Sequence, residues 1–188
     1  MVNRALALVC TLSVVPLAAG CGTTSRPLVR SFSGVGVSFA YPATWHAHSY
    51  AVPSNFSTWI VSLSPQTLHR PCTTRHGTNN TTITCHQAID HLQPDSVLTN
   101  WSTHTWLGWS FRRAQGTPLR VGGRAAKLDV MHDSCGIGAD EMIDVVIAIP
   151  GRAEGDSWYE LDACIRGPDT SKSEREVRQL LRTVRFTP

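Results

Sequence analysis

Ala126-Lys127-Leu128-Asp129-Val130, Ile143-Asp144-Val145-Val146-Ile147-Ala148-Ile149 and Tyr159-Glu160-Leu161-Asp162-Ala163-Cys164-Ile165 decide the fold class. In each, apolar residues recur at every second position, the period of a strand with one buried face. Gly122-Gly123 precedes the first segment, and a turn-rich break over 150–156 separates the second from the third. That spacing predicts an antiparallel meander. Upstream, Val35, Val37, Phe39 and Tyr41 alternate with Gly36, Ser38 and Ala40 and stop at Pro42. Trp59, Val61 and Leu63 alternate again up to Pro65, residues 66–80 read as a loop, 81–86 as a short strand and 97–101 as a further apolar patch. Downstream the period changes. Val177, Leu180, Leu181 and Val184 fall at i, i+3, i+4 and i+7, one stripe of a helix, with Ser171 and Glu174 as a capping box and Glu174 and Arg178 as an i,i+4 pair. Phe186 continues into the core or a short edge strand. The expected fold is α+β, an antiparallel sheet flanked by helices.

The chain has 188 residues, a length that fits one domain. Its 17 Lys+Arg against 14 Asp+Glu are scattered and form no basic stripe, which excludes a nucleic-acid partner. No apolar run reaches the roughly 18 residues that a bilayer span needs. G-x-S-x-G, H-E-x-x-H, G-x-G-x-x-G and the P-loop are absent. No catalytic residue and no cofactor are therefore assigned.

The first 20 residues read as an export signal: Arg4, an apolar stretch over 5–19, then the small residues Ala18, Ala19 and Gly20. Ala18-Ala19-Gly20-Cys21 resembles the lipobox of bacterial lipoproteins, with Leu17 one position upstream of the usual place. The resemblance implies cleavage before Cys21 and acylation of its thiol, for instance with palmitate. Two or more acyl chains anchor stably, where one is marginal. The expected organisation is a lipoprotein signal peptide over 1–20, a polar tether over 21–31 and one domain over 32–188, held by lipid at the extracytoplasmic face of the cell membrane. The plainer alternative is a secretory signal that leaves Cys21 as a thiol. Of six Cys, Cys10 departs with the signal and Cys21 takes the lipid. Cys72, Cys85, Cys135 and Cys164 remain, an even set in an oxidising compartment. Sequential pairing, Cys72–Cys85 and Cys135–Cys164, is predicted.

Phe39-Ala40-Tyr41-Pro42-Ala43-Thr44-Trp45 resembles the F-x-Y-P-x-x-W signature of PsbP-like domains, a family that includes LpqN-type lipoproteins of high-GC Gram-positive bacteria. Gly122-Gly123-Arg124-Ala125-Ala126, Trp158-Tyr159-Glu160-Leu161 and Thr183-Val184-Arg185-Phe186 look similar as well. The resemblance covers residues 35–45 and 119–186. It implies an antiparallel sheet sandwiched by helices, and a binding or assembly role. It carries over no site residue. Pro42 ends a strand in any case, and Trp45 can fold back as a core lid.

The most unusual segment is 100–109, where Trp101, Trp106 and Trp109 surround His104. Flat apolar faces of this kind stack on sugars, lipids or aromatic partners. These four residues are the candidate ligand site, and internal packing of the three Trp is the competing reading. His46 and His48 would share one side of an extended segment. Cys72, His76, Cys85 and His86 offer zinc-ligand atoms, but without a recognised spacing, and export favours disulfides. No metal site is assigned. Asp133, Asp140, Glu141 and Asp144 near Gly136 and Gly138 read as a solvated turn, with weak cation binding as the other reading. The function expected is a binding or assembly module at the cell envelope, for a protein, glycan or lipid. The alternative is an envelope hydrolase or metal-dependent enzyme using the His-rich middle segment, which also contains His69, His91 and, farther on, His132.

Overall fold

The computed structural model describes residues 28–53, 56–78, 81–132, 134–149 and 157–187. The residues read as an export signal, Cys21 and the expected tether up to residue 27 lie outside the described residues, as does Asp133. The strands are β1 (Val29–Gly34), β2 (Val37–Pro42), β3 (His46–Pro53), β4 (Ser57–Ser64), β5 (Cys72–His76), β6 (Thr81–Cys85), β7 (Ser96–Thr105), β8 (Thr117–Val121), β9 (Arg124–His132), β10 (Glu141–Ala148), β11 (Ser157–Arg166) and β12 (Arg185–Phe186). The helix is α1 (Ser171–Thr183). Seven strands make one antiparallel sheet in the order β3-β4-β7-β11-β10-β9-β8; β1-β2-β12 make a second, and β5-β6 is a separate hairpin.

The predicted meander is present: β9, β10 and β11 pair in sequence, with Leu128 opposite Val145 and Val145 opposite Leu161. β7 extends that row with Trp101, and β4 with Val61. This face is the core. Val177, Leu180 and Leu181 of α1 and Val184 just after it lie on it, and so do Val37, Phe39 and Tyr41 of β2. Phe39 stacks on Trp101 with ring centroids 5.2 Å apart. Trp45 is buried there too. At the helix start, Asp169 Oδ1 accepts from Ser171 N, and Thr170 is the cap residue. Ser171 is the first helical residue and the Thr170 side chain makes no capping hydrogen bond, so the predicted Ser171–Glu174 capping box does not form.

The expectation of an α+β fold with flanking helices is corrected. The described chain is β-rich, with one α-helix on one face of the large sheet. The second face is covered by the connection between β4 and β7, which is interrupted by Pro71 and Pro94 and places Cys72–His76 and Thr81–Cys85 in a hairpin rather than a helix. Over the second face, irregular chain supplies Leu68, Ala88, Ile89 and Leu92, which pack with Ile137, Ala139, Leu98 and Cys164 in a small apolar cluster. Disulfides pin this cover. Cys135–Cys164 ties the β9–β10 connection to the sheet, and Cys72–Cys85 closes the β5–β6 hairpin, both as predicted. The hairpin also replaces part of the loop expected over 66–80.

Candidate functional site

Because side chains alternate across a strand, the positions between the core residues form the second face of the large sheet. Ser62, Asn100, Asp162, Asp144 and Asp129 stand opposite one another on β4, β7, β11, β10 and β9. This polar row runs across five adjacent strands, two residues from the small apolar cluster.

Half of the row is hydrogen-bonded. Tyr50 Oη lies 2.9 Å from Ser62 Oγ, Ser62 Oγ donates to Asn100 Oδ1 at 2.6 Å, and Asn100 Nδ2 donates to Gln87 Oε1 at 3.0 Å. Burial pushes the Tyr50 hydroxyl up to about 12, against the lowering effect of Ser62. The other half is frustrated. One carboxylate oxygen from each of Asp144, Glu160 and Asp162 lies within 4.8 Å of the other two. Oδ1 of Asp144 and Oδ1 of Asp162 are buried without a hydrogen-bond partner. Burial, then Glu160, then Asp144 push the Asp162 carboxyl up to about 8. Burial, then Glu160, then Asp129 push Asp144 up to about 7. Desolvation and like charge both disfavour the ionised form, so near neutral pH this cluster holds protons that ordinary carboxylates have lost.

Glu160 joins the cluster to an aromatic stack. Its Oε2 accepts from Trp158 Nε1 at 2.9 Å and lies 3.0 Å from His104 Nε2. Ser102 Oγ is 2.7 Å from the same nitrogen. His104 and Trp109 both stack on Trp158, at centroid distances of 5.0 and 3.9 Å. Burial lowers the His104 pKa, with Glu160 acting in the opposite direction. Trp109 reaches this position because the chain turns after β7, with Trp109 N donating to the Trp106 carbonyl; a short 3₁₀ segment, Phe111–Arg113, follows. Lys127 Nζ holds that segment, donating to the carbonyls of Arg112 and Ala114 at 3.0 and 2.5 Å.

The candidate ligand residues therefore separate. Trp101 is fully buried in the core and presents no surface. His104 and Trp109 belong to the stack beside the carboxylates. Trp106, just past the end of β7, is 55% exposed and leans at 5.1 Å on Phe56, just ahead of β4. Extended alternation places Trp101 and Trp109 on one face, but β7 ends at Thr105 and the turn carries Trp109 to the opposite one. The histidines of the middle segment do not converge: exposed His69 lies 3.9 Å from Asp90, His76 contacts Thr81, and His91 contacts Arg166. Cys72 and Cys85 are consumed by their disulfide. His46 and His48 pair with Ser64 and Ser62 and so share a face, where His48 lies against Tyr50.

The acidic turn read from the sequence does not hold together as a site. Asp140 accepts from Gly167 N, Glu141 contacts Thr170 near the helix, and Asp144 alone joins the second face. Glu160 and Asp162 were the missed partners. Both occupy the polar phase of the β11 alternation, and that phase was the available signal. If a metal ion binds to the described residues, Asp144, Glu160 and Asp162 are the side chains that come together to ligate it, and oxygen donors of this kind suit a hard divalent cation.

No family model matches the chain, and no curated protein matches it. A crystal structure from Bacteroides thetaiotaomicron aligns over 84% of this chain and 48% of its own, with 9% identity and a TM-score of 0.38. The chain thus spans about half the length of that protein, and a likeness at this level transfers neither fold nor function.

Proposed function

We propose that the protein is a lipid-anchored extracytoplasmic binding module, whose ligand brings a positively charged group to Asp144, Glu160 and Asp162 beside the Trp109–Trp158–His104 stack. The observation that carries this reading is the pair of buried, unpartnered carboxylate oxygens on Asp144 and Asp162. Unmatched buried acids cost stability, and a cation that satisfies them recovers that cost on binding. The satisfied row from Tyr50 to Asn100 gives the same face donors and acceptors for orientation. Supporting export, the two disulfides consume all four Cys that follow Cys21. The hydrolase alternative draws on a His-rich segment whose rings are dispersed, which favours binding over it.

Isothermal titration tests the reading in two arms, a divalent metal ion (Ca²⁺, Mg²⁺ or Mn²⁺) and an organic ammonium (spermidine). Binding in either arm at pH 8 that weakens at pH 5 and is lost in Asp162→Asn supports it. Absence of binding in both arms refutes it.

A further inference from the structure

The outer side of α1 is basic. Arg175, Arg178 and Arg182 are exposed on the side opposite the buried Val177, Leu180 and Leu181. Arg120 of β8 joins them, since Arg120, Arg178 and Arg182 line one surface depression and Arg175, Arg178 and Arg182 the next. The acids on the helix are Glu174, which pairs with Arg178 at 3.6 Å, and Glu176, toward β1 and β2. A groove beside this ridge is lined by Leu28, Val29, Tyr41, Glu176, Gln179 and Thr183. Gln179 and Thr183 border both the groove and the basic depression, so the two are continuous. Leu28 and Val29 are 84% and 56% exposed, two aliphatic side chains in water where the chain enters the domain.

We propose that this side, α1 with Leu28 and Val29, is a docking surface for an anionic lipid bilayer. The proposal rests on lipid anchoring at Cys21. Six residues separate Cys21 from Leu28, and fully extended they reach at most roughly 25 Å. A tether that short keeps the domain within a few Debye lengths of the headgroups, where guanidinium groups attract anionic lipid. Leu28 and Val29 enter the interface beside the anchor, and the arginine ridge settles on phosphates. Because α1 covers the core face of the large sheet, docking on α1 leaves the carboxylate and aromatic face directed away from the membrane and open to ligand.

The test uses the full mature chain carrying Cys21→Ala, so that acyl chains do not mask the surface. It is sedimented with phosphatidylcholine vesicles, with and without phosphatidylglycerol. Binding is expected only with phosphatidylglycerol and is expected to vanish at high salt. Each basic residue near an anionic surface raises partitioning about fivefold. Arg175→Glu combined with Arg182→Glu therefore lowers it by at least about 25-fold, while Arg75→Glu on β5 leaves it unchanged. Circular dichroism establishes that the double variant is folded. Equal binding by parent and double variant overturns the proposal, as does no binding to phosphatidylglycerol. Retention by soluble polyphosphate without vesicle binding would instead indicate a polyanion receptor, and also overturns it. Mass spectrometry of wild-type chain from a lipidating bacterium reports on Cys21 separately, so a failed anchor and a failed docking surface are distinguishable.

Discussion

Replacing Asp162 by Asn gives the strongest pH signature that the structure predicts. Asp162 titrates at about 8 in the folded chain, against an ordinary 3.8. Between those values the folded state holds a proton that the unfolded chain releases. Stability therefore falls as pH rises through the window and levels off above it. The shift covers about four pH units, which at about 1.4 kcal/mol per unit bounds the penalty near 6 kcal/mol. Asn keeps the shape and cannot ionise. Partial solvent access to this face reduces the full figure, so the stability of Asp162→Asn relative to wild type should grow by about 2–4 kcal/mol between pH 5 and pH 8.5. At 2–4 °C per kcal/mol for a domain of this size, the relative Tm should rise by at least about 4 °C. The assay is thermal unfolding across pH in EDTA, which keeps cations from masking the effect. A difference that stays constant with pH, or a variant that loses ground at pH 8.5, refutes the reasoning.

Trp101→Ala empties the centre of the core and should cost about 3–5 kcal/mol, whereas Trp106→Ala at the edge should stay within about 1 kcal/mol, both read by urea unfolding. Chain-entropy arithmetic for the 29-residue separation of Cys135 and Cys164 gives a loss of roughly 3–4 kcal/mol on removing that bridge. Non-reducing peptide mapping should return Cys72–Cys85 and Cys135–Cys164 and no other pair. His104 should titrate below 6.5 by NMR and fall further in Glu160→Gln, since Glu160 is the group that holds it up; a value at or above 6.5 contradicts the geometry. Gly116→Ala should destabilise the turn into β8, because its φ is +102° and a Cβ there would lie 2.5 Å from the Leu128 carbonyl.

What the sequence disclosed and what it hid follow from range. Alternation in β9, β10 and β11 and the stripe of α1 are local patterns, and both were legible. The disulfides were legible because the cysteine arithmetic left four thiols in order along the chain. The polar row was hidden because it depends on register between segments far apart. Nothing local indicates that Asn100 pairs with Asp162 across 62 positions, or that Ser62 pairs with Asn100 across 38. Glu160 and Asp162 read as solvent-facing residues of an ordinary strand. Burial by neighbouring strands, with Glu160 and Asp144 beside it, is what raises the Asp162 carboxyl. Trp101 was misplaced for a related reason: three Trp in one segment look alike, and the end of β7 at Thr105 sends them to three different environments. The missing second layer of helix reflects a β4–β7 connection that is interrupted by Pro71 and Pro94 and closed on itself by the Cys72–Cys85 hairpin.

Terbium luminescence tests the central claim most directly. Tb³⁺ is a hard, oxygen-seeking cation excited by nearby tryptophan, and Trp158 donates to Glu160 at 2.9 Å. At pH 8 the account predicts saturable, one-to-one sensitised emission that Ca²⁺ displaces and Asp162→Asn abolishes. Emission unchanged in that variant, or no saturable emission together with no binding of the organic ammonium, would contradict it.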